Sequence, residues 1–211
     1  MSDFVKDFRP AEPRPRYDAA VAKLQAADSD VLIAHIDSGL APHSVFGGGF
    51  PAHILIDQGR NFYDPGGANG HKPITDLSRG DDIAADLIEY PDHGVKTLSV
   101  ILGEDDTKIH GVAPRTKIVP YRVSNGPLFR GSAGPRMDKP ATARIGQAID
   151  HALDLPTPPS VISISMGNPG HAGLFEFFRT LLGGSAGMAK ETKQAINKAY
   201  ERGVIIVCAA G

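Results

Sequence analysis

Four apolar runs rich in Val and Ile constrain this chain more than any other feature. They are residues 31–36 (VLIAHI), 117–123 (KIVPYRV), 160–166 (SVISISM) and 204–209 (VIIVCA). Segments of helical periodicity lie between them. Val95, Leu98 and Ile101/Leu102 recur at three- and four-residue spacing from His93 onward, and Gly103 can stop that helix. Residues 141–153 carry Ile145, Ala148/Ile149 and Ala152/Leu153 on one face. Residues 188–202 carry Thr192, Ala195/Ile196 and Ala199, with Gly203 as a C-terminal stop. Unbroken apolar strands that alternate with amphipathic helices predict an α/β fold. The expected architecture is a three-layer sandwich, with a mainly parallel sheet and helices on both faces. Right-handed crossovers bring the C-terminal ends of all strands to one edge. Asp37, Gly167 and Gly211 fall on that edge.

The remaining segments fit around this frame. Residues 1–16 (with RPAEPRPR) read as an extended arm, and 17–211 as one domain that opens with a helix at 17–27. Residues 52–57 (AHILID) predict a second short strand. The polar stretch 58–92 is too long for an ordinary connection and reads as an excursion. A length of 211 residues at 41% hydrophobic content suffices for one sizeable core. A net charge of −2 without a basic block argues against a nucleic-acid partner. No apolar run is long enough to span a membrane. The lone Cys208 excludes an internal disulfide and reads as a small buried hydrophobe. The first residues carry acids and no apolar core of a leader, so a cytoplasmic location is expected. The apolar strand that ends at Gly211 predicts a domain truncated at its C-terminus, since a buried parallel strand needs its edge covered.

Five motifs in order bring a family into view: HIDSGL (35–40), DHGVKTLSVILG (92–103), HGVAP (110–114), VISISMG (161–167) and GVIIVCAAG (203–211). Together they make the chain, from about residue 31 to 211, resemble the N-terminal portion of the catalytic domain of the subtilisin-like serine proteases (subtilases, peptidase family S8). Each motif alone is common. Five in order, each on the expected element, are specific.

The resemblance implies a serine endopeptidase in which Asp37 and His93 are the acid and base of an Asp–His–Ser triad. The chemistry of the pieces agrees. A carboxylate at a strand end can hold one imidazole nitrogen and leave the other free as general base. His93 opens a helix whose positive end disfavours imidazolium, and the Asp37 carboxylate offsets that. The resemblance also implies a peptide or protein substrate that pairs with Ser165, Met166 and Gly167, faced by Ala209, Ala210 and Gly211. The nucleophilic Ser and the oxyanion-stabilising Asn would follow Gly211. The 211 residues alone are therefore expected to be inactive, lacking the rest of their own domain.

Other readings stay open at this point. A peptide-binding module without catalysis would use the same sheet edge. A metallohydrolase would use His35, Asp37, Asp92 and His93 as ligands. No cofactor is required for serine-type chemistry. Structural calcium, which family members frequently bind, would draw on Asp57, Asp64, Asp76, Asp81 and Asp82, although no 12-residue calcium loop is present. Ser185, in GSAGMA (184–189), looks like a nucleophile motif but precedes the last strand and reads as a helix cap. Ser38 reads as a turn residue. The family often has Thr and His after His-Gly; Val95 and Lys96 stand there, and Leu98-Ser99 replace a small pair, so the helix face near His93 is expected to pack differently.

Overall fold

A computed structural model describes residues 30–63, 73–75, 92–105, 109–125, 141–166 and 189–209. Its centre is a five-stranded parallel sheet. The strands are β1 (Leu32–Asp37), β2 (Arg60–Asn61), β5 (Lys117–Arg122), β6 (Val161–Ile164) and β7 (Ile205–Cys208), in the spatial order β2-β5-β1-β6-β7. Two short strands, β3 (Glu104–Asp105) and β4 (Ile109–His110), form a separate antiparallel pair. Three α-helices, α1 (His93–Leu102), α2 (Ala141–Leu153) and α3 (Lys190–Glu201), and two 3₁₀ turns, Ser44–Phe46 and Ile56–Gln58, complete the described elements.

The layer arrangement follows from the strand order. The chain moves one way along the sheet from β1 to β5, then reverses across β1 to β6 and β7. Right-handed crossovers therefore put α1 on one face and both α2 and α3 on the other. The two cores match. Leu32, Ala34 and Ile36 of β1 pack with Val119, Tyr121, Ile162 and the apolar stripes of α2 and α3. On the opposite face, Ile33 and Ile118 pack with Leu40, Val45, Phe46 and the Val95/Leu98/Leu102 stripe of α1. The helical periodicity in the sequence is thus the contact pattern in the fold. At the C-terminal end of α2, Arg202 Nη1 donates to the Leu153 carbonyl over 2.7 Å, which satisfies one of the acceptors a helix end leaves open.

Two expectations need correction. Residues 52–57 do not form a strand. Ile54 makes a single bridge to Ile118, residues Ile56–Gln58 form a 3₁₀ turn, and β2 follows at Arg60–Asn61. The cause lies in the neighbouring strand. Ile118 and Arg122 bond outward, toward the 53–62 segment, so the main chain of Pro120 faces the same way. Proline has no N–H to offer there. The outer segment leaves the ladder at that level and returns after Gly59, which lies against the Pro120 carbonyl. This also explains how a proline fits within β5: its missing donor faces the break.

The run at 204–209, read as a buried parallel strand whose edge needs covering, is half covered. Val204, Ile206 and Cys208 pack against the α2/α3 core, whereas Ile205 and Val207 on the other face are 61% and 53% exposed. Among the described residues β7 is an edge strand. Partial burial of Cys208 pushes its thiol up to about 11. The arm at 1–16, the helix at 17–27 and most of the polar excursion lie outside the described residues.

Candidate active site

Open α/β sheets form a crevice where neighbouring strands send their connections to opposite faces. Here that point is the C-terminal end of β1, between β5 and β6. β1 delivers Asp37 to it. Strand alternation turns Ile36 into the α2/α3 core and Asp37, like His35, toward the α1 face. The side chain of Asp37 is wholly buried.

α1 begins directly over this end. Two glycines allow the approach. Gly39 has a left-handed φ of 95°, open to glycine at little cost, and turns the chain away after β1. A Cβ on Gly94 would sit 2.2 Å from the Gly39 carbonyl oxygen, so only glycine fits at that step of the helix. Ser38 is more than a turn residue. It is fully buried, and its Oγ accepts the Gly94 N–H over 2.9 Å, satisfying one of the free donors of the helix start.

The result is a short bond from His93 Nδ1 to Asp37 Oδ1, at 2.7 Å. Oδ1 also accepts the backbone N–H of Ser38 at 2.7 Å. A buried carboxylate is acceptor-only, so Nδ1 of His93 carries the proton and Nε2 is the basic nitrogen of the neutral ring. The His93 side chain keeps 21% of its surface exposed, in contrast to Asp37. The arrangement can therefore hold an imidazole in one tautomer while leaving part of the ring open to a reactant.

Of two further participants, Thr97 had no signal in the sequence as chemistry and His35 had one only as a candidate metal ligand. Thr97, one turn after His93, brings its Oγ1 within 3.0 Å of Asp37 Oδ2 and 3.0 Å of His35 Nε2. Burial pushes the His35 imidazole below its ordinary value; the nearby Asp37 carboxylate opposes this and His93 adds to it. A third residue, Arg122, pairs in register with Asp37 across β1 and β5 and is fully buried. Its Nη2 donates to Asn125 Oδ1 over 2.9 Å, and its guanidinium lies 4.9 Å from the centre of the Tyr63 ring. It thereby braces Asn125, the last residue described directly after β5.

Asp92 does not join a metal cluster with His35, Asp37 and His93. It is half exposed and pairs with Lys96 at 2.8 Å, on the solvent side of α1. Among the described residues no group of three or more His, Cys, Asp or Glu side chains could hold a metal. Of the acids considered for calcium only Asp57 is described. Ser165 and Met166 continue from β6 at the same sheet edge as Asp37, and the Met166 side chain turns into the α2/α3 core. Ala209 follows β7 beside them, its N–H bonded to the Ile164 carbonyl at 3.0 Å. Gly167, Ala210, Gly211 and Ser185 lie outside the described residues.

Fold and site together define a doubly wound α/β protein that holds an acid–imidazole pair at its switch point. The chain belongs to the subtilase family (Peptidase_S8), whose family model matches residues 28–211. No curated protein matches it. Among solved structures it is similar to a mutant of the protease domain of PatA, at 17% identity and a TM-score of 0.52, covering 89% of this chain and 52% of that one. It is also similar to a structure of proteases from Pseudoalteromonas arctica, at 23% identity and a TM-score of 0.54, covering 90% of this chain and 52% of that one. At such identities the likeness is one of fold. The chain spans about half the length of these structures.

Proposed function

We propose that this chain supplies the acid and base of a subtilisin-like serine endopeptidase domain. The observation that carries the reading is the 2.7 Å bond between a buried Asp37 and a part-exposed His93. Asp37 orients the ring and fixes the proton on Nδ1. His93 Nε2 takes the proton from an attacking serine hydroxyl and later delivers it to the leaving amine. The buried carboxylate stabilises the imidazolium formed in between. The nucleophilic Ser and the Asn that stabilises the oxyanion lie outside residues 1–211, so these residues alone do not hydrolyse peptides. Main-chain groups at Ser165–Gly167 and Ala209–Gly211 bind an extended peptide substrate. Acid, base and nucleophile are all side chains, so the reaction needs no cofactor.

A fluorophosphonate probe tests this. The 211-residue chain is expected to remain unlabelled, and a chain extended by the residues that follow Gly211 in its gene to be labelled. In the extended chain His93→Ala should slow labelling by about 10²–10⁴-fold, the usual contribution of general base catalysis. Labelling of the 211-residue chain that is lost on Ser185→Ala would overturn the reading.

A further inference from the structure

The second oxygen of Asp37 has its own support, and it comes from residues the proposed mechanism does not use. Both Ser38 N–H and His93 Nδ1 bind Oδ1. Among the described residues the hydrogen bond to Oδ2 comes from Thr97. Four residues after His93 on α1, Thr97 lies on the same helix stripe and over the same end of β1. Behind it stands His35, 1% exposed, two residues before Asp37 on the same face of β1.

The proton count permits one satisfied arrangement. Thr97 has a single hydroxyl proton and four polar atoms within reach: Asp37 Oδ2 and His35 Nε2 at 3.0 Å, and the His93 and Gly94 carbonyls at 3.2 Å. If His35 Nε2 were bare, the proton could serve either Nε2 or Oδ2. The other would then face the hydroxyl oxygen as acceptor against acceptor, although the His35 and Asp37 side chains are both buried, which is costly. With the His35 proton on Nε2, both contacts are filled in one direction. The 3.9 Å separation of Nε2 from Asp37 Oδ2 favours that tautomer further, because it sets the N–H proton near the negative oxygen. A helical Thr ordinarily bonds to its own preceding turn. Here those bonds are the longer ones, and they leave the facing imidazole unexplained.

We propose that Thr97 and His35 are positioning residues of this site: His35 Nε2–H donates to Thr97 Oγ1, and Thr97 donates to Asp37 Oδ2, which fixes the rotation of the carboxylate so that Oδ1 faces His93. Burial keeps His35 neutral, consistent with its lowered value. Neutrality matters, since a charged ring this close would compete with His93 for the Asp37 charge. The groups around His35 do not change this: Asp37 on its own strand, His93 and Thr97 on α1, and Pro120 and Ser163 at its register positions on β5 and β6.

This inference rests on Asp37 and His93 being the acid–base pair, and ¹H–¹⁵N NMR of the imidazoles in the 211-residue chain separates the two. The chain has eight histidines, and His35→Gln and His93→Gln assign the relevant rings. The expected wild-type result is Nε2–H on His35 and a slowly exchanging Nδ1–H on His93. Thr97→Val should speed exchange of the His93 proton at least tenfold, and Thr97→Ser should restore it. An Nδ1–H tautomer on His35 overturns the proposal without any variant. So does a Thr97→Val exchange rate within twofold of wild type. If the His93 Nδ1–H is unprotected in the wild type, or is unchanged in Asp37→Asn, the acid–base pair itself fails.

Discussion

The close approach of Gly94 to Gly39 makes the strongest stability prediction. In Gly94→Ala the new methyl would stand 2.2 Å from the Gly39 oxygen, and 3.4 Å is the lower bound of ordinary contact. The obstacle is backbone, so no side-chain rotation relieves it. α1 or the turn after β1 must move by about 1.2 Å, on the order of the overpacking that costs about 1–3 kcal/mol. The same movement stretches the 2.9 Å bond from Gly94 N–H to Ser38 Oγ, for roughly a further 1 kcal/mol. Alanine's helix preference returns at most about 1 kcal/mol. The net loss is about 1–3 kcal/mol. For a chain of this size each kcal/mol lowers Tm by about 2–4 °C. Thermal and urea midpoints measure it, with Gly49→Ala as control, where no atom lies within 4 Å of the new methyl. The control should stay within about 0.5 kcal/mol of wild type. If Gly94→Ala is as stable as the control, the packing of helix start on strand end is not what positions His93.

Two further predictions come from burial. His35 is neutral in the fold and takes up a proton when unfolded, so the unfolded state binds more protons as pH falls below the ordinary value of 6.5. Stability contributed through His35 is complete above that value and is lost on acidification, with a slope of at most about 1.4 kcal/mol per pH unit; the stability difference between wild type and His35→Val, from urea midpoints at pH 7.5 and 5, should shift against wild type. Leu98 is fully buried between α1 and the sheet, so Leu98→Ala should cost about 2–5 kcal/mol by the same measurement.

Much of the fold was legible because its elements are set by local periodicity. The stripes Val95/Leu98/Leu102 and Thr192/Ala195/Ile196/Ala199 are the buried faces of α1 and α3. β1, β5, β6 and β7 fall within a residue or two of their apolar runs. The site was legible where one residue ends an element, as Asp37 ends β1 and His93 opens α1. The segment at 52–57 was misread because its fate depends on Pro120, some sixty residues away and on another strand. Its own alternation carries no trace of a neighbour that cannot donate.

What the sequence determined by itself is the four long strands and the three helices, their alternation and hence the layers, since hydrophobic period and crossover handedness act on the chain in order. What only the tertiary structure decided is which side chains meet. Thr97 reads as one more helical residue, and His35 as one more strand residue, until α1 crosses the end of β1. They then meet at 3.0 Å, with Asp37 Oδ2 a further 3.0 Å beyond the Thr97 oxygen. A hydrogen bond depends on distances of a few tenths of an ångström between groups 60 residues apart. That geometry comes from packing, from Gly94 seated on Gly39 and Leu98 in the core, and no local pattern encodes it.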